Sequence, residues 1–155
     1  MSILRPLPER LLLGPGPSNA HPSVLEAMSR PLVGHLDPAF IGLLERVKDG
    51  LRTVVGTTNA MTLPISATGS AGMEAALVNL LEPGDDVVIG VNGVFGGRMA
   101  EVARRAGARV TTVEATWGTA LDPDAMADAI RRVHPKVVAF VHAETSTGVC
   151  QPVEA

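Results

Sequence analysis

Hydrophobic positions along the chain change their period near residue 61. Before that point Ile41, Leu44, Val47, Leu51, Val54 and Val55 recur at helical spacing, with Glu45, Arg46, Lys48, Asp49 and Arg52 on the other face. This spacing predicts an amphipathic helix over 38–55. Asp37-Pro38 opens it as N-cap and first-turn proline, and Gly56 closes it. A shorter helix is expected from His21-Pro22 to about Arg30.

After residue 61 strands and helices alternate. The expected order is a strand over 62–66, a helix over 71–81 stopped by Pro83-Gly84, and a strand over 87–91. A loop over Asn92–Gly97 then leads to a helix over 98–106, closed by Gly107, and a strand over 108–113. Asp122-Pro123 caps a helix running to Val133, and a last strand covers 136–141. The run Val87-Val88-Ile89-Gly90-Val91 is apolar throughout, as in strands buried on both faces. Such alternation requires an α/β fold, a mainly parallel sheet with right-handed crossovers and flanking helices. Three segments follow: an irregular stretch over 1–20, N-terminal helices over 21–60, and an incomplete α/β domain over 61–155.

Composition narrows the class. A chain of 155 residues, 46% hydrophobic and 19% charged, is globular and long enough for one sizeable core. A net charge of −3 argues against a nucleic-acid surface. The single cysteine, Cys150, excludes an intrachain disulfide framework and fits a reducing, cytoplasmic compartment. His21, His35, His134 and His142 show no metal-ligand spacing. No apolar run is long enough to span a bilayer as a helix.

The chemistry-bearing stretch is Ser66-Ala67-Thr68-Gly69-Ser70-Ala71-Gly72. A helix N-terminus carries N–H groups without intrahelical partners and the positive end of the helix dipole. Gly69 lets the backbone come close to a ligand, and Thr68 and Ser70 add hydroxyls, which together suit a phosphate monoester. Tight packing at a strand-to-helix turn would select the same small residues. The stretch has neither the lysine of a nucleotide P-loop nor the G-x-G-x-x-G of a dinucleotide fold. In parallel sheets ligands bind beyond the carboxyl ends of the strands, which adds Asn92–Gly97 and Ala143–Gly148 to the candidate loops. Phe95, in the first of these, suits stacking on a planar ring or plugging the core. Thr145, Ser146 and Thr147 read as hydrogen-bonding groups or as a local hydroxyl turn.

Six segments in order resemble the class V branch of the fold-type I pyridoxal phosphate enzymes, and within it the alanine–glyoxylate and serine–glyoxylate aminotransferases. They are GPGPSN (14–19), GHLDPAF (34–40), TGSAGMEAALVNLLEPGD (68–85), GVNGVFGGR (90–98), VEATWG (113–118) and HAETSTGV (142–149). The resemblance implies the N-terminal part of the large domain of such a transferase, with pyridoxal 5′-phosphate as cofactor. Thr68, Gly69 and Ser70 then match the cofactor phosphate cradle. Phe95 matches the aromatic, often tryptophan, that stacks on the pyridine ring; phenylalanine stacks but has no N–H to donate. Thr145 matches a hydroxyl near the ring oxygen, and Gly16, Pro17 and Ser18 match a ribbon lining the substrate side. Glu74 matches a structural helix glutamate.

The implied reaction is transfer of an amino group from a small amino acid, alanine or serine, to glyoxylate or a similar 2-oxo acid, in a homodimer. No catalytic residue is assigned within the chain. Its lysines are Lys48, on the polar face of a helix, and Lys136, at the amino end of a strand, and neither matches the family's Schiff-base lysine. The expectation is that this sequence is the N-terminal part of a larger enzyme and does not turn over alone. The alternatives are a cysteine desulfurase-like or phosphoserine aminotransferase-like enzyme, or a non-catalytic module that binds a phosphate ligand or pairs with a partner chain. Desulfurases usually place a histidine where Phe95 stands, and Asn92–Arg98 contains none.

Overall fold

A computed structural model describes residues 8–153. They form two compact units, one running to Pro64 and the other starting at Ile65.

In the first unit, α1 (Pro22–Met28) and α2 (Pro38–Val55) start and stop on local signals. The His21 side chain accepts from the Ser23 N–H, and the Asp37 carboxylate accepts from the Ala39 N–H at 2.8 Å. Gly56 ends α2 in the left-handed conformation at φ 65°, its N–H bonded to the Arg52 carbonyl. The Arg52 guanidinium then donates to the carbonyls of Asn59 and Ala60, tying down the segment that follows. The ribbon before α1 is closed by Asn19, whose side chain accepts from the Leu12 N–H and donates to the Arg10 carbonyl, both at 2.8 Å. Gly16, Pro17 and Ser18 lie exposed on it.

The second unit is the α/β body. Its elements are α3 (Gly69–Leu80), β1 (Asp86–Val91), α4 (Val94–Arg105), β2 (Arg109–Glu114), α5 (Pro123–Val133), β3 (Val137–Ala139), β4 (Ala143–Glu144) and β5 (Val149–Cys150). The main sheet has the order β2-β1-β3 with both pairings parallel, Ile89 facing Thr112 on one side and Ala139 on the other. Val87, Val88 and Ile89 are fully buried, as a strand covered on both faces requires. Leu77 and Leu81 of the α3 end and Met99, Ala100 and Ala103 of α4 complete that core. At the amino ends of the strands Arg109 clamps Asp86 with two hydrogen bonds and Lys136 holds Asp85 at 2.6 Å. These hydrogen bonds keep both carboxyls below their ordinary range.

Several expected elements differ. The strand over 62–66 is absent: Thr62 and Ala67 make short-range backbone bonds to Ala60 and Ile65, and Pro64 has no N–H for a ladder. The helix expected over 71–81 begins earlier, at Gly69. The loop over Asn92–Gly97 shrinks to Asn92-Gly93, because α4 starts at Val94 instead of Arg98. The loop over Ala143–Gly148 is mostly a hairpin, β4 against β5, with Glu144 opposite Val149. The last strand of the sheet covers Val137–Ala139, shorter than the expected 136–141. The first helix ends at Met28, where Ser29 caps it. The strand expected over 108–113 runs one residue later, Arg109–Glu114.

Candidate functional site

The candidate residues Thr68, Gly69, Ser70, Phe95 and Thr145 all fall in the second unit, on the turn into α3, the first turn of α4 and the β4–β5 connection. Thr68 is the N-cap of α3, with an extended backbone, and its side chain makes no capping hydrogen bond. The hydroxyl and the first-turn N–H groups are therefore not consumed by each other. Gly69 faces open space: a Cβ built there meets nothing within 4 Å. The Ser70 hydroxyl accepts from the Arg98 guanidinium at 2.5 Å.

Arg98 lies on α4, one turn beyond Phe95, and its guanidinium carbon stands 5.4 Å from the centre of the Phe95 ring. That distance is within cation–π range. One side chain thus joins the hydroxyl at the head of α3 to the aromatic ring at the head of α4.

The head of α4 is itself held from a distance. The N–H groups of Phe95 and Gly96 donate to the Glu144 carboxylate at 3.0 and 3.1 Å, across nearly 50 residues of chain. The other carboxylate oxygen accepts from the Ser146 N–H at 3.2 Å and from its hydroxyl at 2.5 Å. Ser146 Oγ in turn accepts from the Val94 N–H at 2.9 Å. Glu144 is fully buried. Burial alone would push its carboxyl up, but the donors from Ser146, Gly96 and Phe95 outweigh that and hold it below the ordinary value of 4.5. A carboxylate at a helix N-terminus is also favoured by the helix dipole.

Close glycine contacts make this approach possible. A Cβ at Gly93 would sit 2.4 Å from Glu144 Cγ, and one at Gly96 would sit 2.8 Å from the Gly90 carbonyl oxygen. Asn92, at the end of β1, is fully buried, donates to the Thr119 carbonyl at 3.1 Å and receives at its own carbonyl the Thr147 hydroxyl at 3.3 Å. Gln151 pins the loop before α5 through both backbone groups of Leu121.

The structure thus links Ser70 to Phe95 through Arg98, and Phe95 to the neighbours of Thr145 through Glu144. Thr145 itself is exposed between two anchored residues, Glu144 and Ser146. Gly16, Pro17 and Ser18 belong to the first unit. Lys48 pairs with Glu45 on α2, and Lys136 is bound to Asp85 at the amino end of β3. An apolar groove of about 310 Å³ lined by Leu121, Met126, Ile130 and Phe140 lies along α5, apart from these residues. Among the described residues no helix is long and apolar enough to cross a membrane, and no cluster of metal-ligating side chains occurs.

Arg98 and Glu144 were not anticipated as site residues. Arg98 carried a signal, a cation one turn beyond a candidate ring. Glu144, between Ala143 and Thr145 in a polar stretch, carried none short of the fold.

Comparison with known proteins gives a consistent answer. The Aminotransferase class-V family model matches residues 10–155. The (S)-ureidoglycine–glyoxylate transaminase of Bacillus subtilis (strain 168) is 45% identical over 148 residues, 96% of this chain and 36% of that protein. The alanine–glyoxylate aminotransferase of Drosophila melanogaster is 45% identical over 151 residues, 96% of this chain and 38% of that protein. The crystal structure of an alanine–glyoxylate aminotransferase from Nostoc sp. superposes with a TM-score of 0.93 at 50% identity, covering 99% of this chain and 41% of that one. The chain therefore spans well under half the length of these relatives. With a family match over nearly all its residues, it belongs to the class V aminotransferase family.

Proposed function

We propose that this chain forms the cofactor-holding part of a pyridoxal 5′-phosphate-dependent aminotransferase. The observation that carries the reading is Arg98, which brings a cation, the Ser70 hydroxyl and the Phe95 ring into one cluster at the heads of α3 and α4. A phosphate ester on a flat ring asks for donors and positive charge at one end and a ring face at the other. Thr68, Gly69 and Ser70 would hold the phosphate, Phe95 would stack on the ring, and Thr145 would bond its oxygen. Arg98 stands over one face of the Phe95 ring, so a stacked cofactor would need the other. On the family resemblance, Gly16, Pro17 and Ser18 line the substrate side through their backbone.

Bound there, the cofactor supplies the carbonyl that carries the amino group and the electron-withdrawing ring. The residues of this chain bind and orient it. The covalent role is assigned to neither Lys48 nor Lys136, both of which are engaged in ion pairs. Glyoxylate in the names of relatives supports a small 2-oxo acid as acceptor, and one of those names supports alanine as donor; serine rests on the family resemblance alone. We also infer a cytosolic homodimer. Leu13, Leu32, Leu36 and Val54 of the first unit are largely exposed, apolar side chains that a second copy would cover, and the single cysteine fits a reducing compartment.

The test is to incubate the natural protein with pyridoxal phosphate, glyoxylate and either alanine or serine. Glycine is the expected product. If neither donor yields it while the protein binds the cofactor, the substrate assignment is wrong.

A further inference from the structure

We propose that Glu144 is a positioning residue of the cofactor site, its buried carboxylate setting Phe95 and Thr145 in one mutual arrangement. The inference rests on the cofactor reading above and adds a role for a residue that would touch neither cofactor nor substrate.

The geometry is specific. One oxygen of Glu144 receives the N–H groups of Phe95 and Gly96, and the other receives the N–H and hydroxyl of Ser146. The Glu144 carbonyl receives the Thr147 and Gly148 N–H groups at 3.1 and 2.9 Å, closing the turn that carries Thr145. Thr145 is thereby flanked on both sides by fixed residues, and the backbone of Phe95 is fixed directly. The two segments pack closely at Gly93, where even a methyl group would overlap the Glu144 side chain. The two segments are far apart in sequence, so without this carboxylate the residues linking them directly are Ser146, through the Val94 N–H, and Thr147, through the Asn92 carbonyl.

A carboxylate suits this place because it is acceptor-only: all its donors converge from two segments and none is left facing another donor. Glutamine has the same shape but a single acceptor oxygen. Its NH₂ must face either the Phe95 and Gly96 N–H groups or the Ser146 N–H, so one segment is released. The ring wall then loosens while the core, built on β1 and the inner face of α4, is unaffected.

The experiment compares the natural protein with Glu144→Gln and with Gln151→Met. The second removes another buried polar anchor, one that holds Leu121 instead of Phe95. Amide hydrogen exchange is measured without cofactor, and pyridoxal phosphate affinity and the circular dichroism of the bound cofactor are measured with it. Glu144→Gln is expected to exchange faster over 94–97 and 145–148 with β1 unchanged, to bind pyridoxal phosphate roughly tenfold more weakly, and to show an altered dichroic band. Gln151→Met is expected to keep the affinity and the band. Wild-type affinity and band in Glu144→Gln, or equal losses in both variants, overturn the proposal. If the unsubstituted protein binds no pyridoxal phosphate, the cofactor reading itself fails and the positioning role falls with it. The exchange pattern then still reports whether the clamp exists.

Discussion

Gly96→Ala is expected to lower the unfolding free energy by about 2–3 kcal/mol, the cost of overpacking a well-packed contact. The added methyl would lie 2.8 Å from the Gly90 carbonyl oxygen and 2.9 Å from Val91 Cα. Both are backbone atoms of β1, the central strand, so no side-chain rotation relieves the overlap. α4 must move outward, and that movement draws the Phe95 and Gly96 N–H groups away from Glu144. Gly97→Ala is the control. Nothing lies within 4 Å of a Cβ there, and alanine gains roughly 1 kcal/mol of helix propensity over glycine. Urea midpoints shifting down for the first variant and level or up for the second is the expected result. Equal behaviour would mean that α4 does not pack this closely on β1.

The second large effect is at Glu144. Glu144→Leu is expected to cost about 3 kcal/mol, because the buried Gly96 N–H and the part-buried Phe95 and Ser146 N–H groups would lose their acceptor. The same site makes stability depend on acid. The folded carboxyl lies below its ordinary 4.5, so the folded form holds its proton less tightly than the unfolded chain does. Its stabilisation is therefore fully present above pH 4.5 and is lost as pH falls through the lower folded value. Asp85 and Asp86 behave in the same direction and are shared by both proteins, so they cancel in the comparison. Unfolding titrations at a series of acid pH values should show the gap between wild type and Glu144→Leu narrowing as pH drops. A constant gap would show that the charge on Glu144 is not what holds the two segments.

How much of this was legible in the sequence depended on how local the signal was. α2 and α5 could be read to the residue, because Asp-Pro caps and apolar periodicity lie within the helices themselves. β1 could be read because a strand buried on both faces is apolar without interruption. The start of α4 could not. Gly93, Gly96 and Gly97 argue against a helix locally, and its first turn is held by a carboxylate nearly 50 residues away. The strand expected at 62–66 failed for the converse reason. Its composition suits a strand, but the backbone there bonds to itself and Pro64 interrupts the ladder. At the candidate site, the Thr68–Ser70 turn and Phe95 draw notice by residue type alone and Arg98 by standing one turn beyond the ring, whereas Glu144 gains meaning only from the donors the fold brings to it.

On the proposed function, the natural protein carries pyridoxal phosphate and uses it covalently. The most direct measurement is the intact mass of that protein, purified from its source, after incubation with pyridoxal phosphate and reduction with borohydride. One reduced cofactor adduct per chain, mapped to a lysine other than Lys48 or Lys136, is the predicted result. A protein that takes up no adduct, or takes it up only at those two lysines, would rule out that function.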